Sequence, residues 1–153
     1  MYNIYEKYHC SREWNSELIN TCKKAKIDFM TTPYDIEAVK VFKNHVRGFK
    51  IGSGDLTFRD LLSFVAKVKK PIFLATGAST IFEIKEAVNF ILKENLNLCL
   101  MQCNTNYTND SSNFKYINLR VLQKFEKIWP GMPLGLSDHT KGHTTVLGAI
   151  SLG

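Results

Sequence analysis

One pattern constrains this chain more than any other: short apolar runs alternate strictly with amphipathic helical stretches. Strands joined through helices run parallel, because a crossover of a dozen or more residues returns the chain to the same end of the sheet. Five runs read as strands: residues 27–31, 49–51, 71–77, 96–103 and 134–136. The run Pro71 to Gly77 is nearly all apolar, as for a strand buried on both faces. Between the strands, Asn15-Ser16-Glu17 opens a helix with Asn15 or Ser16 as its cap, and residues 36–44 form another. Thr57 is expected to cap a helix carrying the stripe Phe58, Leu61, Leu62, Val65 and Val68, with Asp60 in a capping-box position. Thr80 and Glu83 have true capping-box spacing ahead of Ile84, Ala87, Val88 and Ile91. Residues 116–129 read as a helix stopped by Pro130-Gly131, and residues 143–153 as the start of another. Residues 1–14 read as an entry loop.

Polar residues collect where the strands end: Thr32, then Lys50 and Ser53, then Thr76, then residues 104–107, then Ser137 to His139. In a (β/α)8 barrel those ends meet at one mouth, whereas an open sheet brings only a few together. No G-x-G-x-x-G or P-loop is present to support a nucleotide-binding sheet. A whole barrel takes about 250 residues, and this chain has 153. The expected fold is therefore α/β, a partial TIM (β/α)8 barrel of about five parallel strands. It forms one domain over residues 1–153, incomplete on both sides. Its end strands are exposed edges that invite association.

Charge and cysteines narrow the partners. The net charge is +6, but the lysines are scattered or sit at helix ends, as at Lys23, Lys24 and Lys26. Without a basic stripe or a recognised module, no nucleic-acid partner is expected. No apolar run reaches the roughly 18 residues of a membrane span, and no leader is legible, so the expectation is a cytoplasmic protein without a membrane partner. Cys10, Cys22, Cys99 and Cys103 form no CxxC pair and read as reduced thiols.

Lys50 precedes Gly52-Ser53-Gly54, whose small residues leave backbone amides free. That suits an anion, and it equally suits a solvent-facing lysine beside an ordinary turn. Ser53, Ser137, Thr32 and Thr76 add hydroxyl donors for a phosphate or carboxylate. His139 can bind a metal, act as a base or cap a helix, and one histidine makes no metal site by itself. Asp138 can orient that ring or cap a turn. Tyr107 can stack on a sugar or pack at the rim. Ser137, Asp138 and His139 are adjacent, which points their side chains apart and excludes a Ser-His-Asp triad.

Five motifs in series carry a resemblance. They are Thr31-Thr32-Pro33-Tyr34-Asp35, Phe49-Lys50-Ile51-Gly52-Ser53-Gly54-Asp55, Leu74-Ala75-Thr76-Gly77-Ala78-Ser79, Gln102-Cys103-Asn104-Thr105-Asn106-Tyr107-Thr108 and Gly135-Leu136-Ser137-Asp138-His139-Thr140. In order and spacing the chain resembles the sialic acid synthases: N-acetylneuraminate synthase and its legionaminic and pseudaminic acid relatives. The resemblance implies an enzyme, a transferase of carbohydrate biosynthesis. It would condense phosphoenolpyruvate with an N-acetylated amino sugar such as N-acetylmannosamine and release phosphate. It implies phosphoenolpyruvate contacts at Thr32, Lys50, Ser53, Thr105 and Ser137, a sugar contact at Tyr107, and a divalent metal, Mn2+ or Mg2+, on His139.

Ala75 departs from the family, many of whose members have a serine there. The resemblance also implies a homodimer, a catalytic glutamate, a second histidine ligand and a small antifreeze-like C-terminal domain. The last three match nothing in this chain, so no catalytic residue is assigned and the isolated chain is expected to lack synthase activity. Two other readings stand beside this one: a non-catalytic barrel fragment, and an aldolase that forms a Schiff base on Lys50.

Overall fold

The computed structural model describes residues 2–107 and 110–153. Four strands form one sheet: β1 (Phe49–Ile51), β2 (Ile72–Ala75), β3 (Leu98–Cys103) and β4 (Leu134–Ser137). They lie side by side in chain order, and every neighbouring pair is parallel. The helices are α1 (Tyr2–Tyr8), α2 (Asn15–Ala25), α3 (Ile36–Phe42), α4 (Arg59–Lys67), α5 (Ile81–Leu92), α6 (Arg120–Ile128) and α7 (Thr144–Ile150). A strand order without reversal is that of a barrel; a doubly wound sheet has a switch point.

The run expected to be the first strand, residues 27–31, keeps a single bridge, from Thr31 to Phe49. Phe29 and Thr31 carbonyls accept from the Arg47 and Lys50 amides, so the segment follows β1 without extending the ladder. Asp28 turns outward to pair with Arg47 at 3.3 Å. Ile27 and Met30 remain 61% and 44% exposed.

The sheet has two unlike faces. Phe49, Ile51, Ile72, Leu74, Leu98 and Leu100 are buried among Val39, Leu61, Leu62, Val65, Ile84, Val88 and Ile91 of the helices. The other face carries Lys50, Phe73, Cys99 and Met101, all half-buried. β2 is thus buried fully on its helix side and only in part on the other, where Phe73 lies. Burial raises the Cys99 thiol pKa.

Local signals held unevenly. The Thr80 hydroxyl accepts from the Glu83 amide at 3.3 Å, and the Glu83 carboxylate accepts from the Thr80 amide at 2.7 Å, completing the capping box. Thr57 does not cap α4, which begins at Arg59 after Phe58, and Asp60 closes no box. Neither Asn15 nor Ser16 caps α2: a 3-10 turn, Arg12–Trp14, runs straight into it, and Ser11 caps that turn instead. Asp35 caps α3, accepting from the Ala38 amide at 2.8 Å. Residues 2–8 are helical rather than loop. Before α6, residues 111–116 coil as a 3-10 turn and Asn118 takes a left-handed φ of 53°, so the helix starts four residues later than its apolar spacing suggests.

These caps set a paired test. Thr80→Ala should cost about 1 kcal/mol in urea unfolding. Thr57→Ala should stay within about 0.5 kcal/mol.

Candidate functional site

Every strand ends at the same side of the sheet, and there the chemistry gathers. Lys50 lies on β1 and Ser137 on β4, at opposite ends of the sheet. Three strand spacings in a flat sheet would separate them by about 14 Å. Yet Lys50 Nζ donates to Ser137 Oγ at 2.9 Å. That contact requires a sheet curled so that side chains of its end strands converge over the concave face, as in a barrel. Ser137 itself is buried.

Ser53, Gly77 and Thr105 make a second cluster from three different strand ends. The Gly77 amide donates to Ser53 Oγ at 2.9 Å. A Cβ on Gly77 would come within 2.6 Å of the Thr105 methyl and 2.9 Å of the Cys103 carbonyl. Only glycine allows these loops to approach so closely. The Ser53 hydroxyl keeps its own proton to donate. Thr32 lies farther round the rim, its methyl 4.0 Å from where a Gly52 Cβ would stand. No hydrogen bond joins it to Lys50 among the described residues.

His139 stacks against Tyr107, ring centroids 4.3 Å apart and tilted by 56°. Burial and the nearby Lys50 charge hold the imidazole pKa below its ordinary 6.5, against an opposing pull from Asp138. Both effects favour the neutral ring. Asp138 forms a turn: its carboxylate accepts from the Thr140 amide at 3.0 Å and from the Thr140 hydroxyl at 2.9 Å. The Asn104 side chain likewise accepts from the Asn106 amide at 3.0 Å, shaping the turn that presents Thr105 and Tyr107. Thr76 proves structural, its hydroxyl donating to the Met101 carbonyl at 2.9 Å. Thr108, the last residue of its motif, lies outside the described residues.

Two residues join the site without a role assigned from sequence. The half-buried Asp55 points its carboxylate to within 3.5 Å of the Gly52 Cβ position, and desolvation raises its pKa. Its place in the Lys50 motif was the available signal. The buried Asn113 accepts from the Asn106 side-chain amide at 2.6 Å. An asparagine within a polar loop carries no such signal.

A parallel β/α sheet of barrel type, with lysine, hydroxyls and imidazole at its strand ends, defines the class. The particular family follows from comparison: the chain belongs to the NeuB family, matched over residues 1–153. It is 34% identical over 154 residues to N,N'-diacetyllegionaminic acid synthase of Campylobacter jejuni, covering 98% of this chain and 45% of that protein. It is 28% identical to human N-acetylneuraminate-9-phosphate synthase, covering 94% and 39%. Among solved structures, the Bacillus subtilis spore coat polysaccharide biosynthesis protein SpsE superposes with a TM-score of 0.84 at 26% identity, over 95% of this chain and 40% of that one. The chain spans less than half the length of these relatives. No helix among the described residues is long and apolar enough to cross a membrane.

The His139 environment sets a pH test. Its folded pKa is lowered, so the unfolded chain binds the proton more readily between the two values and stability rises with pH. Proton NMR should place the His139 midpoint below 6.5, and Lys50→Met should move it upward by removing the nearby cation. A midpoint at or above 6.5 in the unaltered chain contradicts this geometry.

Proposed function

We propose that these strand ends are the phosphoenolpyruvate-binding part of a nonulosonic, sialic-type acid synthase. The observation that carries the reading is the Lys50 to Ser137 contact across the concave face. It holds a cation inside the mouth, with a hydroxyl partner in place of a carboxylate. A phosphate or carboxylate entering there pairs with Lys50 without displacing a protein anion. Ser137, Ser53, Thr105 and Thr32 supply hydroxyl donors around the rim. A substrate with several negative charges needs this combination of one cation and several neutral donors.

In the proposed reaction the methylene carbon of phosphoenolpyruvate forms a bond to the aldehyde carbon of an N-acetylated amino sugar. The aldehyde oxygen takes a proton. Water then adds to the cationic carbon that bears the phosphate, gives up a proton, and the carbon–oxygen bond to phosphate breaks. Lys50 steadies the anion, and the hydroxyls hold it in register with the sugar. Tyr107, exposed beside His139, offers a ring face to the sugar.

His139 offers one imidazole toward the Mn2+ or Mg2+ that the resemblance implies. Among the described residues, no group of three or more His, Cys, Asp or Glu stands close enough to hold a metal ion, and Asp138 is tied to Thr140. These residues do not fit a divalent-metal site on their own, and no step is assigned to the metal.

Isothermal titration of the 153-residue chain with phosphoenolpyruvate tests the reading. Lys50→Met should weaken binding by about 10- to 100-fold, the factor expected for a hydrogen bond to a charged group. Lys67→Met, at the opposite end of the sheet, should leave it unchanged. Equal weakening by both variants would show binding by general charge and sink the proposal.

A further inference from the structure

On the helix side of the sheet, a pocket of about 360 Å³ lies between α5 and α6, beside the turns that end β2 and β3. Its walls are apolar: Ile81 and Ile84 come from α5, Val121 and Phe125 from α6. Ile84 and Phe125 belong to the buried core. Among such side chains, one polar group stands out.

That group is Gln102, which is 7% exposed and lines the inner end of the pocket. It follows Leu98 and Leu100 at a spacing of two, so its side chain leaves β3 on the helix side. Its Nε2 donates to the Ile117 carbonyl at 2.8 Å. That acceptor fixes which way round the amide sits, because only the nitrogen end can donate. The oxygen end, Oε1, has no partner among the described residues. Every fully enclosed side-chain polar atom among the described residues does have one, so Oε1 opens into the pocket. An amide oxygen this far from bulk water is costly to leave without a donor. The nearby Thr76 cannot supply one, since its hydroxyl proton goes to the Met101 carbonyl. At the rim stands Lys124, exposed and in no ion pair among the described residues. It is the one charged side chain among the described residues that line the pocket.

We infer that this pocket binds a small carboxylic acid bearing a hydroxyl at the far end of a short apolar body. The carboxylate pairs with Lys124 at the rim. The body lies between Ile84 of α5 and Val121 and Phe125 of α6. The hydroxyl donates to Gln102 Oε1 at the inner end. A hydroxyl suits that end better than an ammonium, because no carboxylate lines the pocket to pair with a buried cation. The volume is at the small end of the range for ligand pockets, which suits a body of one ring or a short chain. This site is separate from the mouth, where Lys50 and Ser137 meet over the concave face. Gly77 and Thr105 form the wall between the two.

Amide chemical-shift mapping of the 153-residue chain with 4-hydroxyphenylacetate tests the site. Saturable shifts are expected at Gln102, Val121, Lys124 and Phe125. Phenylacetate has the same body without the hydroxyl and should bind about 2- to 10-fold more weakly, the worth of one neutral hydrogen bond. Lys124→Met should weaken 4-hydroxyphenylacetate by about two- to fivefold, as for an exposed ion pair. Lys124 is exposed, so the variant should keep the circular dichroism of the unaltered chain. The comparison of the two acids uses the unaltered chain and stands without the variant. Absence of saturable shifts, shifts centred on Lys50 and Ser137, equal binding of the two acids, or full binding by a folded Lys124→Met chain overturns the inference.

Discussion

The site depends on the curl of the sheet, which the reach of Lys50 to Ser137 reports. A lysine amine and a serine hydroxyl 87 residues apart, on the first and last strands of the sheet, meet at 2.9 Å. They meet only because the strands twist and curl, which follows from parallel strands whose helices all pack on one side. The helix face supplies the force for that packing through fully buried aliphatic side chains. The concave face, with Phe73, Cys99 and Met101 half-buried, gains less from burial, and its polar groups gather at the strand ends. The division of labour between the faces is therefore a consequence of which residues alternate along each strand.

The same curl crowds the loops. Gly77 lies where three strand ends converge, and its missing side chain lets Ser53 accept its amide while Thr105 sits alongside. Asp138 and Asn104 each fold the backbone back on a side-chain oxygen, fixing the turns that carry His139 and Tyr107. These residues act on the site through backbone shape. The groups left to meet an anion are Lys50 and the hydroxyls around it.

Much of this was legible in the sequence. The alternation of helix and strand, and the polar residues after each strand, predicted a barrel segment with its chemistry at one rim. Thr80 and Glu83 announced their capping box because both partners are local. Residues 27–31 misled because β-type composition says nothing about whether a neighbour exists to pair with, and Asp28 found Arg47 instead. Thr57 misled because Phe58 is held outside the helix. Thr76 read as a ligand donor because sequence does not reveal that the Met101 carbonyl lies opposite. The roles of Asp55 and Asn113 arise from contacts made by folding.

Chemical-shift mapping of the 153-residue chain with phosphoenolpyruvate tests the central claim most directly. The account predicts amide shifts confined to the strand ends: Thr32, Lys50 to Asp55, Gly77, Thr105 and Ser137 to His139. At the opposite end of the sheet, Lys43, Lys67 and Lys70 line a shared groove. Shifts centred on those lysines, with the strand ends silent, would contradict the account.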